Sequence, residues 1–332
     1  MAIKVLITGA TGFIGSFIVE EALRRGFEVW AAIRRTSNLE YVRKPGVNLI
    51  ELDLGNKKQM AAKLKGMGID YVVHAAGVTK STDVEAFRKV NTLGTKNLVE
   101  ALISSKIPLK RFIYLSSLSI FGPVREEPPY EEIKDSDTPC PNTAYGRSKL
   151  EAEHYLEGLQ GFPYIILRPT GVYGPREKDY FLMAKSVKAH VDFAAGFKEQ
   201  VITFVYVEDV VQAVFLAFDK GRLGGKYFLS DGCLYKSSTF SDLIRRELGN
   251  PWIIRIKAPL WILRIITLFG EYIGRLTGNI SALNNDKYNI LKQRNWRCDI
   301  SPAEDELGYN PRFNLDMGVR ATIKWYKDNG WL

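Results

Sequence analysis

The chain has 332 residues, of which 46% are apolar and 25% charged. Those fractions sit near the globular average and exclude a disordered, collagen-like or coiled-coil protein. Its 46 Lys and Arg against 37 Asp and Glu leave a net charge of +9, which reads either as a solvated basic surface or as attraction to an anion such as a cofactor, nucleic acid or an acidic membrane.

The first half of the chain alternates short β-branched runs with helical patterns. Strands are predicted at Lys4–Thr8, Glu28–Ile33, Asn48–Glu51, Tyr71–His74, Arg111–Ser116 and Tyr164–Arg168, with helices at Ile14–Arg25, Val84–Ser104 and Ala144–Leu159. This alternation predicts a mostly parallel sheet with helices on both faces. The strands are nearly all apolar, as expected when both faces are covered. Between Pro123 and Asn142 a proline-rich, acidic loop precedes the Ala144 helix. After Pro175 helices become more prominent, punctuated by Gly221–Gly225 and Pro251. The expected fold class is α/β: a doubly wound parallel sheet of Rossmann type with a smaller C-terminal α/β lid over the substrate. Residues 1–175 form the dinucleotide-binding domain, and 202–220 return to it through a strand at Ile202–Val207. Residues 176–201 and 221–332 form the substrate-binding domain.

The first strand runs into Gly9-Ala10-Thr11-Gly12-Phe13-Ile14-Gly15 and then a helix. Glycines at this spacing let the backbone turn tightly and approach a pyrophosphate, which then sits on the helix N-terminus. The strand before and the helix after are the context that such a motif needs; a tight turn without a ligand has the same look. An NAD site would place Asp or Glu at the end of the second strand. This chain has Ala31-Ala32-Ile33-Arg34-Arg35. A guanidinium fork suits a 2′-phosphate, so Arg34 favours NADP over NAD, unless both arginines are only solvated charges. Asp53 and Leu54 end the third strand, where they can reach the adenine; a helix N-cap accounts for Asp53 equally well.

Tyr145-Gly146-Arg147-Ser148-Lys149 places Tyr145 and Lys149 four apart, on one helical face. A free tyrosine has a pKa of about 10 and is a poor base at neutral pH. A neighbouring ammonium favours the phenolate. Reaching about 7 takes roughly 4 kcal/mol, at about 1.4 kcal/mol per unit. Lys149 and the positive charge of a nicotinamide are the expected source. Such a tyrosine exchanges a proton with a carbonyl–alcohol pair. The same pattern also describes an ordinary surface helix; its position after the fifth apolar strand gives it weight. That strand ends in Ser116-Ser117-Leu118-Ser119, at the carboxyl edge where open α/β sheets bind ligands. One hydroxyl there can hold and polarise a substrate oxygen. Backbone capping is the better account of Ser116 and Ser119.

Cys140, Cys233 and Cys298 lie far apart with no C-x-x-C, and His74, His154 and His190 share no metal-ligand spacing. No disulfide framework and no metal site are expected, and a reducing, cytoplasmic location follows. No signal-peptide pattern precedes the first strand. The longest apolar stretch, Ala258–Gly270, is broken by Arg264 and is too short to span a membrane. No basic cluster interleaved with aromatics supports a nucleic-acid partner.

Taken in order, several pieces resemble the extended short-chain dehydrogenase/reductase family, of the NAD(P)-dependent epimerase/dehydratase type. They are Thr8–Gly15, His74-Ala-Ala-Gly77, Val90–Thr95, Ser116-Ser117, Tyr145-x-x-x-Lys149, Leu167-Arg-Pro-Thr-Gly-Val-Tyr-Gly-Pro175 and Val207-Glu-Asp-Val210. Leu307–Pro311 and Trp325-Tyr326 are similar to its closing segment. The resemblance implies that Tyr145 is the general acid/base, that Lys149 binds the nicotinamide ribose and that Ser117 is the catalytic serine. It implies that Asn91 supports a relay to the lysine and that His74 is structural. Ala75, Ala76 and Gly77 would line the cofactor, and Pro169, Gly171 and Val172 would flank the nicotinamide. A homodimer through the Val84 and Ala144 helices is also implied.

Departures from the family pattern narrow the chemistry. Its sugar dehydratases place Asp-Glu directly after the catalytic threonine, where this chain has Leu118-Ser119. Its nucleotide-sugar epimerases usually have Asn at the position of Gly171 and Arg at that of Ile202, and both diphosphate contacts are missing. Between Pro259 and Thr277 a helix sets Arg264, Glu271 and Arg275 on one narrow face and leaves a broad apolar surface. It is similar to the lid of the 3β-hydroxysteroid dehydrogenase and dihydroflavonol reductase branch. Packing on the core, on a partner subunit or against a membrane surface accounts for it as well. The expected activity is NADP(H)-dependent reduction of a carbonyl, or oxidation of a secondary alcohol, of a fairly apolar small molecule. The alternative is a nucleotide-sugar epimerase that retains its nicotinamide. A non-catalytic dinucleotide sensor is disfavoured by the intact Ser117, Tyr145 and Lys149.

Overall fold

The computed structural model describes residues 2–81, 83–277 and 284–332. The six predicted strands all form, each within a residue of its expected bounds: β1 (Lys4–Thr8), β2 (Glu28–Ile33), β3 (Val47–Glu51), β4 (Tyr71–His74), β5 (Arg111–Leu115) and β6 (Tyr164–Pro169). Helices α1 (Phe13–Arg24), α2 (Lys57–Leu64), α3 (Val84–Phe87), α4 (Gly94–Ser104) and α5 (Ala144–Glu157) lie between them. A π turn, Arg88–Leu93, joins α3 to α4, so the predicted Val84–Ser104 helix is one run with a local widening.

Strand residues alternate between two cores, as a period of two requires. Val5, Ile7, Val73, Ile113 and Ile165 pack with Ile18 and Val19 of α1. Leu6, Val72, Phe112, Tyr114 and Ile166 face the other way, onto Met60 of α2, Leu98 and Val99 of α4, and Leu156 of α5. This burial of both faces is what the continuous apolar strands encode.

The rest of the chain comprises β7 (Gly171–Tyr173), α6 (Lys178–Lys188), β8 (Val191–Ala195), β9 (Val201–Ile202), β10 (Phe204–Tyr206), α7 (Val207–Asp219), β11 (Lys226–Leu229), β12 (Tyr235–Lys236), α8 (Thr239–Glu247), β13 (Ile254–Ala258), α9 (Leu260–Thr277), α10 (Asn285–Lys292) and α11 (Leu315–Asp328). The main sheet has seven strands in the order β11-β6-β5-β4-β1-β2-β3. Its strands are all parallel.

The seventh strand corrects the expectation for Ile202–Val207. That stretch splits at Thr203 into β9 and β10, which pair with β12 and β7 in separate two-stranded sheets. The strand that rejoins the main sheet is β11, from a stretch assigned by sequence to the lid. In between, α7 supplies Val210, Val214 and Phe218 to the α1-side core. A third core is mostly aromatic, with Tyr173, Phe204, Tyr206, Phe240 and Tyr326 buried beneath α6, α8 and α11.

Candidate active site

The phosphate turn is shaped by the chain's own crossing. Gly9 has a φ of +67°, and a Cβ there would sit 2.6 Å from the Ala75 carbonyl. A Cβ at Gly15 would lie 2.1 Å from the Gly9 carbonyl oxygen. Both positions therefore demand glycine whatever binds. Gly12 begins α1 with no side-chain cap, and the first turn holds no acidic residue. Its N–H groups are left as unneutralised donors at the cavity.

The loop after β4 is pinned from the π turn. Asn91 is fully buried; its Oδ1 accepts from Val78 N at 2.8 Å, and its Nδ2 donates to Val78 O at 3.0 Å and to Ser148 Oγ at 2.9 Å. These bonds tie the Gly77–Val78 backbone to α5. None of these bonds runs directly to the Lys149 ammonium; they position the loop beside it. His74 is also buried, between Thr8 Oγ1 at 2.6 Å and Thr95 Oγ1 at 2.9 Å. Burial and the Lys149 charge push its imidazole down to about 3, so it stays neutral and structural.

Helix α5 carries Tyr145 and Lys149. Thr143 caps it, accepting from Gly146 N at 2.9 Å. Asp286, from α10, accepts from Ala144 N at 3.0 Å and Tyr145 N at 3.1 Å. A buried ion pair anchors its middle: Glu153 meets Arg168 of β6 at 2.5 Å, and Arg168 also reaches Asp135 of the acidic loop at 2.5 Å. Sequence spacing gave no hint of Asp286, which lies 141 residues or more from the helix start it caps, or of the Glu153–Arg168 pair, which depends on how α5 packs against the neighbouring strand.

The acid/base group carries a desolvation that sequence spacing does not show. Burial pushes the Tyr145 phenol up to about 12, against a smaller lowering influence of the neighbouring Ser117 hydroxyl. Lys149 is buried; its Nζ donates to Leu115 O at 2.7 Å and lies 4.7 Å over the Tyr114 ring. Burial pushes this ammonium down to about 8, with Glu153 opposing. So Lys149 does not lower the Tyr145 pKa below 10 in the protein alone: a desolvated phenol holds its proton. Tyr145 is therefore poised to donate.

These groups line a cavity of about 560 Å³ with Gly9, Gly12, Phe13, Ile14, Gly15, Ala75, Gly77, Pro169 and Val172. Ser116, expected as a backbone cap, has a buried hydroxyl with no partner and lines the same cavity. Ser117 does the capping instead, accepting from Ser119 N at 3.1 Å. An orphaned donor, free helix N–H groups and a buried ammonium fit a dinucleotide carrying a pyrophosphate and a ribose. Thr11, Arg34, Asp53, Leu54, Ala76 and Asn91 stand outside the wall of this cavity. Arg34 and Arg35 are exposed at the tip of β2. Asp53 is not a helix cap: Asn56 caps α2, while Asp53 Oδ1 accepts from Gly55 N at 2.8 Å. Thr170, Glu177, Asp179, Tyr180, Met183 and Lys287 line the cavity unforeseen.

A second cavity, of about 350 Å³, opens beside the first and shares Ser117, Thr170, Tyr180 and Met183 with it. Its wall is largely apolar, with Leu118, Phe193, Ala194, Ile202, Phe204, Phe240, Ile290, Leu291 and Trp296. Gly171 belongs here rather than to the first cavity; a Cβ on it would lie 2.9 Å from the Tyr180 hydroxyl and 3.3 Å from the Phe204 ring. Polar groups gather in one place, where Asp192 binds Arg255 at 2.7 Å and Ser241 at 2.9 Å, and Asp242 takes the other side of the guanidinium at 2.5 Å.

Two adjoining cavities that share Ser117, the first also holding Tyr145 and Lys149, make this an α/β enzyme that holds a nicotinamide dinucleotide beside a small molecule. The chain belongs to the NAD dependent epimerase/dehydratase family, whose model matches residues 5–229. It is 29% identical to a UDP-glucose 4-epimerase of Vibrio cholerae, over 97% of this chain and 94% of that one. It is 26% identical to a 3-beta-hydroxysteroid dehydrogenase of Mycolicibacterium neoaurum, over 98% and 92%. The structure of a Thermus thermophilus UDP-glucose 4-epimerase in complex with NAD matches the fold with a TM-score of 0.77 at 24% identity, over 98% and 99% of the two chains.

Proposed function

We propose that the protein is an NADP(H)-dependent oxidoreductase that reduces a carbonyl, or oxidises a secondary alcohol, of an apolar small molecule. The substrate cavity carries this reading. Its one arginine is held between Asp192 and Asp242, while Ile202 and the Tyr180–Phe204–Phe240 aromatics occupy the region where a diphosphate would need donors. Bound in the first cavity, the nicotinamide dinucleotide supplies the hydride chemistry. Tyr145, protonated at neutral pH, gives its proton to the carbonyl oxygen, and Ser117 orients that oxygen. Lys149 holds the ribose side of the site, and Asn91 fixes the backbone beside it. Arg34 and Arg35, exposed at the end of β2 and without an ion pair among the described residues, support a contact with a 2′-phosphate and so favour NADP over NAD.

The 29% identity to an epimerase favours a second reading, nucleotide-sugar epimerisation with a retained cofactor. A thermal-shift screen with NADP present separates the two. Steroids, flavonoids and aromatic ketones form one arm; UDP-, GDP- and dTDP-sugars form the other. Stabilisation in the apolar arm is expected. A shift of several degrees confined to the sugar arm would replace this reading with the epimerase.

A further inference from the structure

Helix α9 carries its polarity in reverse. Trp261, Ile265, Leu268 and Phe269 recur at i, i+4, i+7 and i+8, forming one stripe, yet all four are exposed, Trp261 at 66% and Phe269 at 65%. On the opposite side Thr267 is buried, and Arg264 turns inward, donating to the Asn285 side chain at 2.5 Å and lying 5.3 Å over the Tyr288 ring of α10. A helix in water buries its apolar stripe; among the α9 residues whose side chains are described, this stripe faces solvent while Arg264 turns inward. Glu271 and Arg275, expected beside Arg264, have side chains outside the described residues. Phe197, 70% exposed, adds to the apolar surface from the β8–β9 loop.

A groove of about 340 Å³ lies at the foot of this stripe, lined by Phe197, Lys198, Leu260, Trp261, Lys292 and Arg294. It shares Ala195, Gln200 and Leu291 with the substrate cavity, so the outer apolar surface leads inward to the site. Lys198, Lys292 and Arg294 form no ion pair among the described residues. Tryptophan and phenylalanine beside unpaired cations match an interface with apolar chains below and anionic headgroups above. No described helix is long and apolar enough to cross a membrane. A second copy of the chain fits less well, because a two-fold contact sets the patch against itself and brings the same cations together.

We propose that the α9 stripe and Phe197, with Lys198, Lys292 and Arg294, dock the protein on an anionic phospholipid bilayer, and that the groove beside Trp261 admits a bilayer-dissolved substrate. The second part rests on the apolar-substrate reading; the docking does not.

The test is flotation of the full chain with vesicles of equal parts phosphatidylcholine and phosphatidylglycerol, against phosphatidylcholine alone. Binding to the anionic vesicles is expected, weaker on the neutral ones and weaker at raised salt. Ile265→Asp with Phe269→Asp should cut the bound fraction by about tenfold or more, and Lys198→Ala with Lys292→Ala by less. NADPH binding, read by fluorescence, reports that each variant is folded; the salt titration of the unmutated chain needs no variant. Failure of the unmutated chain to float with anionic vesicles would overturn the docking. So would flotation of the Asp pair equal to that of the unmutated chain. An oligomer that the Asp pair dissociates, with no vesicle binding before or after, would assign the stripe to a second copy. Turnover of a water-soluble aromatic ketone is read in parallel. Flotation without turnover of any apolar carbonyl upholds the docking and removes the oxidoreductase reading; turnover without flotation does the reverse.

Discussion

The carboxyl edge of the main sheet and the C-terminal lid build their parts of the site by opposite means. At the sheet edge, backbone geometry sets the positions. Gly9 and Gly15 are required by a crossing of main chain with main chain, and Ser117, Tyr145 and Lys149 extend from a strand end and a capped helix. In the lid, position comes from side chains reaching across the chain: Asp286 to the start of α5, Gln200 to the Leu291 and Gln293 carbonyls, and Asp192 to Arg255. The edge therefore supports one chemistry with little freedom, whereas the lid can change its lining without disturbing the proton donor. Reaction type belongs to the first region and substrate choice to the second.

The largest expected effect breaks the edge alone. Tyr145→Phe should lower turnover by about 10²–10⁴ while cofactor affinity, read by NADPH fluorescence, stays nearly unchanged. Retained activity on a verified substrate would remove Tyr145 as the proton donor. Next is the ion pair that anchors α5 to the sheet. Arg168→Met strands the Glu153 carboxylate, which is completely buried, and should cost about 3–5 kcal/mol in a denaturant titration. A loss under 1 kcal/mol, roughly that of an exposed pair, would show that Arg168 does not anchor α5.

A smaller effect is expected at the tip of β2. NADPH should bind about tenfold more tightly than NADH, about 1.4 kcal/mol, and Arg34→Asp should shrink or invert the ratio; equal affinities in the unmutated chain contradict the assignment. The mildest prediction concerns pH. Lys149 has its pKa lowered by burial to about 8 and Tyr145 has its pKa raised to about 12. Both protons are present below about pH 8. As pH rises through that value the ammonium is lost first, so kcat/KM for carbonyl reduction should be flat below it and fall above it. The lysine's depressed pKa also means that the unfolded chain binds the extra proton between about 8 and 10.5. Folding stability should therefore rise with pH across that window. A rate that climbs from pH 6 to 8 would indicate that a tyrosinate, not a tyrosine, acts in the reductive direction.

The same division explains what could be read from the chain. Parallel strands covered on both faces leave continuous apolar runs, so β1–β6 were legible to within a residue. The phosphate turn, the serine and the Tyr–Lys pair were legible because each is local: a strand end, a turn, one helical face. β11 was not, since Lys226–Leu229 is short and lies among lid segments, and only pairing with β6 marks it. The desolvation that raises the Tyr145 pKa was not legible, because it depends on how the surrounding segments pack. Asp286, Glu153–Arg168 and the inward turn of Arg264 depend on how separate elements pack on one another, and no spacing encodes that. The α9 periodicity was visible, but which face meets solvent was not.

Net consumption of the nicotinamide tests the central claim most directly. With NADPH in excess over enzyme and a panel of apolar ketones, an oxidoreductase consumes one equivalent of cofactor for each alcohol formed, followed by loss of nicotinamide absorbance and by product analysis. That stoichiometry, abolished by Tyr145→Phe, is the expected result. Interconversion of a UDP-, GDP- or dTDP-sugar with no net change in nicotinamide, and no consumption with any ketone, would contradict the account.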